Sequence, residues 1–221
     1  MIDPNKYIFR RATIKDVDFI TNTIVEAEKS SSDKCGMANY FNISEDELMK
    51  YLKLMLEEEV DGCEFSISSF FVVEYEGTVV GALGGWIEGD NEDNLPSVII
   101  KSNLLSYCLP KDIILGSKNN VDKIKELTIE RTPGTYQLEF SFVEPGHQGQ
   151  GLLETLMEMH FDIARSKHVK IAQDHMYPDN KIITLFHKCM GFKEIKRYIS
   201  THPGTLEIYP YNSLVLMEKQ L

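Results

Sequence analysis

The stretch V-E-P-G-H-Q-G-Q-G-L-L, Val143–Leu153, constrains the fold of this chain more than any other. It follows an apolar run, Tyr136–Val143, that reads as a strong strand. It precedes apolar residues at Leu152, Leu156, Met159 and Ile163, the stripe of an amphipathic helix over Leu152–Ser166. A strand that turns directly into a helix places main-chain N–H groups where they lack intrahelical partners and where the helix dipole is positive. Such a turn receives anions. Gly149 and Gly151 let the backbone curl close to a ligand because neither carries a Cβ, and Gln148 and Gln150 add neutral donors. Two phosphate loops are excluded: there is no G-K-[ST], and the residue three after Gly151 is Glu154, so G-x-G-x-x-G is not met. Taken alone, the spacing is equally that of a tight turn with no ligand.

The rest of the chain supplies a context for this turn. Tyr7–Arg10 reads as a strand, and Thr13 is a candidate cap for a helix with apolar residues at Ile14, Val17, Phe19, Ile20, Ile24 and Val25. Ser44-Glu45-Asp46-Glu47 has the capping-box form, and the helix it opens should end near Glu59. Phe65–Tyr75 and Thr78–Ile87, joined by Glu76-Gly77, read as an antiparallel hairpin. Gly81, Gly84 and Gly85 in its second strand suggest a bulge or a close approach. Val169–Asp174 should be a short strand, Asn180–Met190 a helix stopped by Gly191, and Phe192–Ile199 and Ser213–Glu218 the last strands. Residues 89–134 are expected to form an insertion, with helices at Ser97–Leu105 and Val121–Thr128, serving as a lid or a homodimer contact. The order implies one α/β domain over residues 1–221 with a sheet of mixed direction.

Charge narrows the partners. The formal net charge of −11 argues against nucleic acid, which requires surplus Lys and Arg, and tolerates a cationic small molecule. Cys35, Cys63, Cys108 and Cys189 are far apart, which points to a reducing compartment rather than a disulfide framework or a zinc site. Neither a secretory core in MIDPNKYIFRR nor a membrane-length apolar run is present in the sequence, so a cytoplasmic location is expected.

Val143–Leu153 resembles the acyl-CoA pyrophosphate loop of the GNAT acetyltransferase superfamily, V-x-P-x-x-[QR]-x-x-G-x-[GA]. Val143, Pro145, Gln148 and Gly151 match, and Leu153 departs from the usual small residue. Ile8–Thr13 with Asp16, Phe71–Gly81, Asn180 and Gly191-Phe192 resemble, in order, the superfamily's first strand and helix start, its central hairpin, and its late helix with its "GF" strand start. The resemblance implies a mixed, mostly antiparallel, twisted sheet flanked by helices on both faces, with insertions at about 29–64 and 89–134. It implies acetyl-CoA as co-substrate, no metal, and a small-molecule or protein amine as acceptor. The main chain of Gln148, Gly149, Gln150, Gly151, Leu152 and Leu153 would bind the pyrophosphate. Phe142 and Val143 would splay from the neighbouring strand and meet the pantetheine arm, and Asn180 would hydrogen-bond that arm. Asn180 serves equally well as a helix cap.

Transfer of an acetyl group to an amine requires a group that takes the amine's proton, a donor for the developing oxyanion, and an acid for the leaving thiolate. Where the family commonly carries a tyrosine acid, four residues before the "GF" glycine, this chain has His187, a candidate acid in its place because the C-terminal end of its helix favours the imidazolium. Glu139, in the strand leading to the loop, and His175, where some family members carry a catalytic carboxylate, are the candidate bases, and Tyr177 is a candidate for the cleft wall. The replacement of tyrosine by His187 leaves open a noncatalytic, CoA-responsive module of the same fold.

Overall fold

In the computed structural model of the chain, residues 3–221 are described. Seven strands form one sheet: β1 (Tyr7–Arg11), β2 (Phe70–Tyr75), β3 (Thr78–Ile87), β4 (Tyr136–Val143), β5 (Ile171–Met176), β6 (Lys193–Ile199) and β7 (Ser213–Gln220). Their order is β1-β2-β3-β4-β5-β7-β6, and every neighbouring pair is antiparallel except β4 with β5. Helices α1 (Val17–Lys29), α2 (Gly36–Phe41), α3 (Glu45–Glu57) and α4 (Ser97–Cys108) cover one face, where Ile20, Ile24, Leu52, Met55, Phe70 and Ile100 share one buried cluster. Two shorter helices, α5 (Lys111–Gly116) and α6 (Val121–Ile124), follow in the 89–134 segment. The other face packs against α7 (Leu152–Ser166) and α8 (Lys181–Cys189), with Leu138, Leu156, Phe161 and Val215 at its centre. The chain is completed by the short α9 (Thr205–Ile208).

Local chemistry sets the element ends. The Ser44 capping box is formed in full, with Glu47 N–H on the Ser44 hydroxyl and the Glu47 carboxylate on the Ser44 N–H. That helix ends at Glu57, slightly before the expected Glu59. The strand expected from Phe65 begins only at Phe70. Ser66 Oγ accepts the Cys63 N–H at 3.1 Å and Ser69 Oγ donates to the Cys63 carbonyl at 3.0 Å. These side chains stabilise a turn in competition with the ladder. The strand expected at Val169 begins at Ile171, because the Val169 N–H closes the end of α7 on the Ala164 carbonyl. The α7 stripe is also broader than its aliphatic residues suggest. Leu152, Leu156, Met157, His160, Phe161 and Ala164 are buried, while Met159 and Ile163 lie at its margin. His160 is tolerated in the core because both ring nitrogens are engaged, by Tyr136 Oη at 2.8 Å and the Leu83 carbonyl at 3.0 Å. Burial holds its pKa down at about 4.

The central strands carry the feature that positions the site. The β3–β4 register shifts between Leu83 and Gly84, leaving Phe140 as an extra residue with φ 55°. A Cβ at Gly84 would lie 2.8 Å from the Glu139 carbonyl, so glycine permits the close approach. The β4–β5 ladder runs through Tyr136↔Ala172, Gln137↔Gln173 and Leu138↔Asp174 and then stops. Beyond that point the two strands part. Among the described residues, no helix is long and apolar enough to cross a membrane.

Candidate active site

A cleft of about 1210 Å³ opens where β4 and β5 separate. Its walls come from β4 and the turn after it, β5, α8, the end of α1, and the 89–134 segment. That segment is therefore part of the cleft wall, supplying α4 and the residues around Arg131.

At one end lies the turn from Pro145 to Gly151. Gly149 and Gly151 both have left-handed φ, 73° and 75°. A Cβ at Gly149 would meet nothing within 4 Å, so the space beside the turn is open. The first bond of α7 links the Thr155 N–H to the Gly151 carbonyl, and no side chain caps the helix. The N–H groups of Leu152, Leu153 and Glu154 consequently precede the helix ladder, at its positive end. The Gln148 side chain turns back and donates to the Val143 carbonyl at 2.9 Å, so one of its two N–H groups is spent on shaping the turn. Phe142 and Val143 pair with Ala82 and Gly81 on the β3 side, and the β5 ladder has ended before reaching them. Asn180 does act as the cap of α8, accepting from the Ile183 N–H at 3.3 Å. Its amide also donates to Ser30 Oγ at 3.1 Å, joining α8 to the segment after α1.

At the fork, His187 is buried. Its Nε2 lies 2.6 Å from Asp174 Oδ2 and its Nδ1 2.9 Å from the Ile183 carbonyl. Burial opposes charge on the ring, but the Asp174 carboxylate outweighs it and the pKa is raised. Both ring nitrogens are thus committed within the protein.

Glu139 also faces the cleft, paired with Arg131. Arg131 reaches Glu64 at 3.6 Å and Gln137 at 3.2 Å, and its guanidinium sits 4.8 Å over the Trp86 ring. Lys101 of α4 holds Glu64 at 2.7 Å. Burial raises the Glu139 pKa against the attraction of Arg131. The two cations come from the 89–134 segment, where isolated Lys101 and Arg131 had no sequence pattern to mark them.

His175 lines the same cleft. Among the described residues neither of its ring nitrogens has a hydrogen-bond partner. Burial, assisted by the charge of Arg131, lowers its pKa to about 3. The ring is therefore held in its neutral form and is a weak base. Tyr177 also lines the cleft, with its ring 6.2 Å from Tyr209.

Glu28, at the end of α1, completes the cleft wall. Ile20, Ile24 and Glu28 are four apart, so the sequence did carry a signal: a carboxylate continuing a buried stripe. Burial pushes its pKa up to about 7.

A family model described as "Acetyltransferase (GNAT) family" matches residues 37–192, well over half of the chain. No curated protein matches the chain in sequence. Among solved structures, an N-acetyltransferase from Staphylococcus aureus Mu50 superposes with a TM-score of 0.67 at 13% identity, covering 96% of this chain and 100% of that one. A Drosophila melanogaster polyamine N-acetyltransferase, which forms N-acetylagmatine, gives 0.55 at 12% identity over 97% and 100%. The yncA protein from Salmonella typhimurium, solved with its cofactor acetyl-CoA, gives 0.51 at 15% identity over 98% and 95%. At these identities the structures share the fold.

Proposed function

Because the chain belongs to the acetyltransferase (GNAT) family, whose members use acetyl-CoA, we propose that it transfers an acetyl group from acetyl-CoA to a primary amine, of a small molecule or a protein. The observation that carries this reading is the continuous path from the uncapped start of α7 to the fork between β4 and β5. The residues present fit the co-substrate. The amides of Gly149 to Leu153 would hold the pyrophosphate, with Gly149 leaving room for it. The open backbone edge of Phe142 and Val143 would receive the pantetheine arm, and Asn180 would meet that arm if its amide exchanged Ser30 for the ligand. Bound there, acetyl-CoA supplies the activated acetyl group. The chain's part is to orient it, to strip protons from the amine and to exclude water. With its cysteines unpaired among the described residues, the chain is suited to the cytoplasm.

The expected test is calorimetric binding of CoA, followed by release of free thiol from acetyl-CoA with a panel of primary amines. Absence of CoA binding refutes the reading. A second reading, a noncatalytic CoA-binding module, is favoured by one observation: the residue at the usual acid position, His187, has both ring nitrogens occupied. Binding of CoA without thiol release for any amine selects it.

A further inference from the structure

Glu28 lines the cleft without an ion-pair partner among the described residues, a condition it shares with Glu88, Glu130 and Glu154. Among the described residues, Lys101 and Arg131 are the lysine and arginine side chains lining the cleft, and they are committed to Glu64 and Glu139. Glu28 is bonded instead to a main-chain group: its Oε2 accepts the Met37 N–H at 3.0 Å. The local packing is built around this oxygen. A Cβ at Gly36 would fall 2.9 Å from Glu28 Oε2 and 2.6 Å from the Tyr209 ring, so the missing side chain is what lets Tyr209 close beside the carboxyl. Tyr177 and Tyr209 stand 6.2 Å apart, and both line the cleft with Glu28. A carboxylate beside aromatic rings attracts an ammonium ion by charge and by the ring quadrupoles.

We propose that Glu28, framed by Tyr177 and Tyr209, receives the ammonium group of the acceptor and takes its proton, so that the acceptor is a primary alkyl- or aralkylamine arriving as a cation. This inference rests on the proposed acetyl transfer. The alternatives are less suited: Glu139 is paired with Arg131, and His175 is too weak a base. The groups facing Glu28 are Cys35 and the Met37 N–H, Glu64, Lys101, Glu139, Tyr177 and Tyr209. Their net effect with burial is a carboxyl that ionises near neutral pH, where a general base works best. One proton passes from the ammonium to the Glu28 carboxylate. The neutral nitrogen then bonds to the acetyl carbon as the C–S bond breaks. Its second proton leaves with the thiolate sulfur as CoA thiol, and Glu28 returns its proton to water.

The test uses the full chain, wild type and Glu28→Gln, with 1,4-diaminobutane and 2-phenylethylamine as probes. Glutamine retains an oxygen for the Met37 N–H, and unchanged CoA affinity by calorimetry verifies the fold of the variant. Wild type is expected to bind at least one probe, more tightly at pH 8 than at pH 6, and Glu28→Gln to lose at least tenfold in affinity together with that pH dependence. Where thiol release is measurable, kcat/KM of the wild type falls below about pH 7, and the variant loses that limb. CoA binding with no binding of either amine, or amine binding unaltered in Glu28→Gln, overturns the proposal while leaving the CoA reading intact. Loss of CoA binding by the wild-type chain overturns the functional reading itself. Tyr177→Phe, which keeps the ring, is expected to retain amine affinity within a few-fold, and Tyr177→Ala to lose it.

Discussion

Replacing Glu28 with glutamine should make the protein more stable, and only above a definite pH. The carboxyl ionises at about 7 in the folded chain against an ordinary 4.5. Its folded pKa is raised, so between those values the folded state holds a proton that the unfolded state has lost. Stability therefore falls as pH rises through this window, and the full penalty is present above about pH 7. At about 1.36 kcal/mol per pH unit the gap corresponds to about 3 kcal/mol. Because Glu28 is half-buried and opens onto the cleft, about 2 kcal/mol is the better expectation. Glutamine does not titrate and keeps the acceptor for the Met37 N–H. Urea denaturation of both proteins from pH 4.5 to 8.5 should give a variant that gains about 2 kcal/mol relative to wild type across that range, most of it between pH 5 and 7. A difference that stays flat with pH would refute the view that Glu28 sits in the fold as an unpartnered carboxyl.

The remaining expectations concern the turn and the fork. Gly149→Trp fills the open space beside α7 and forces a side chain into left-handed φ, so CoA affinity measured by calorimetry should fall more than tenfold, while Gln148→Ala should cost less. Asp174→Asn removes the anion that keeps the His187 pKa above its usual value, at a cost of about 1–3 kcal/mol. That stabilisation is present below the ordinary histidine pKa of 6.5 and is lost as pH rises through the raised one, so the difference from wild type in urea titrations should shrink toward alkaline pH. Arg131→Met leaves buried Glu64 and half-buried Glu139 without a shared cation and should destabilise by about 3 kcal/mol, read by thermal denaturation at neutral pH.

Elements whose cause is local were legible in the sequence. Tyr136–Val143 and Leu152–Ser166 fall within the bounds read from periodicity alone, and Ser44–Glu47 forms the capping box its residue order spells. Gly84 marked the bulge because a missing Cβ is itself a statement about a neighbour. The turn after β4 and Asn180 were found because main-chain donors and helix caps depend on residues close in sequence. The short helices α2 and α5 were missed, since six residues give too few turns for a stripe to show.

The polar interior of the cleft was a different matter. Glu139 and His175 were nominated for their chemistry, but chemistry at a fork depends on what approaches from elsewhere. Arg131 comes from eight residues before Glu139, and Lys101 and Glu64 come from separate segments, converging on one group of charges. Burial, with Arg131, depresses His175, and the cations committed to Glu64 and Glu139 leave Glu28 without an ion pair beside Tyr209. The sequence by itself determined the main strands and the longer helices, and the glycine turn between β4 and α7, because periodicity, glycine and capping act over a few residues. Tertiary structure decided which carboxylates are ion-paired and which imidazole is basic, because a pKa is set by the burial and charges that folding gathers from across the chain.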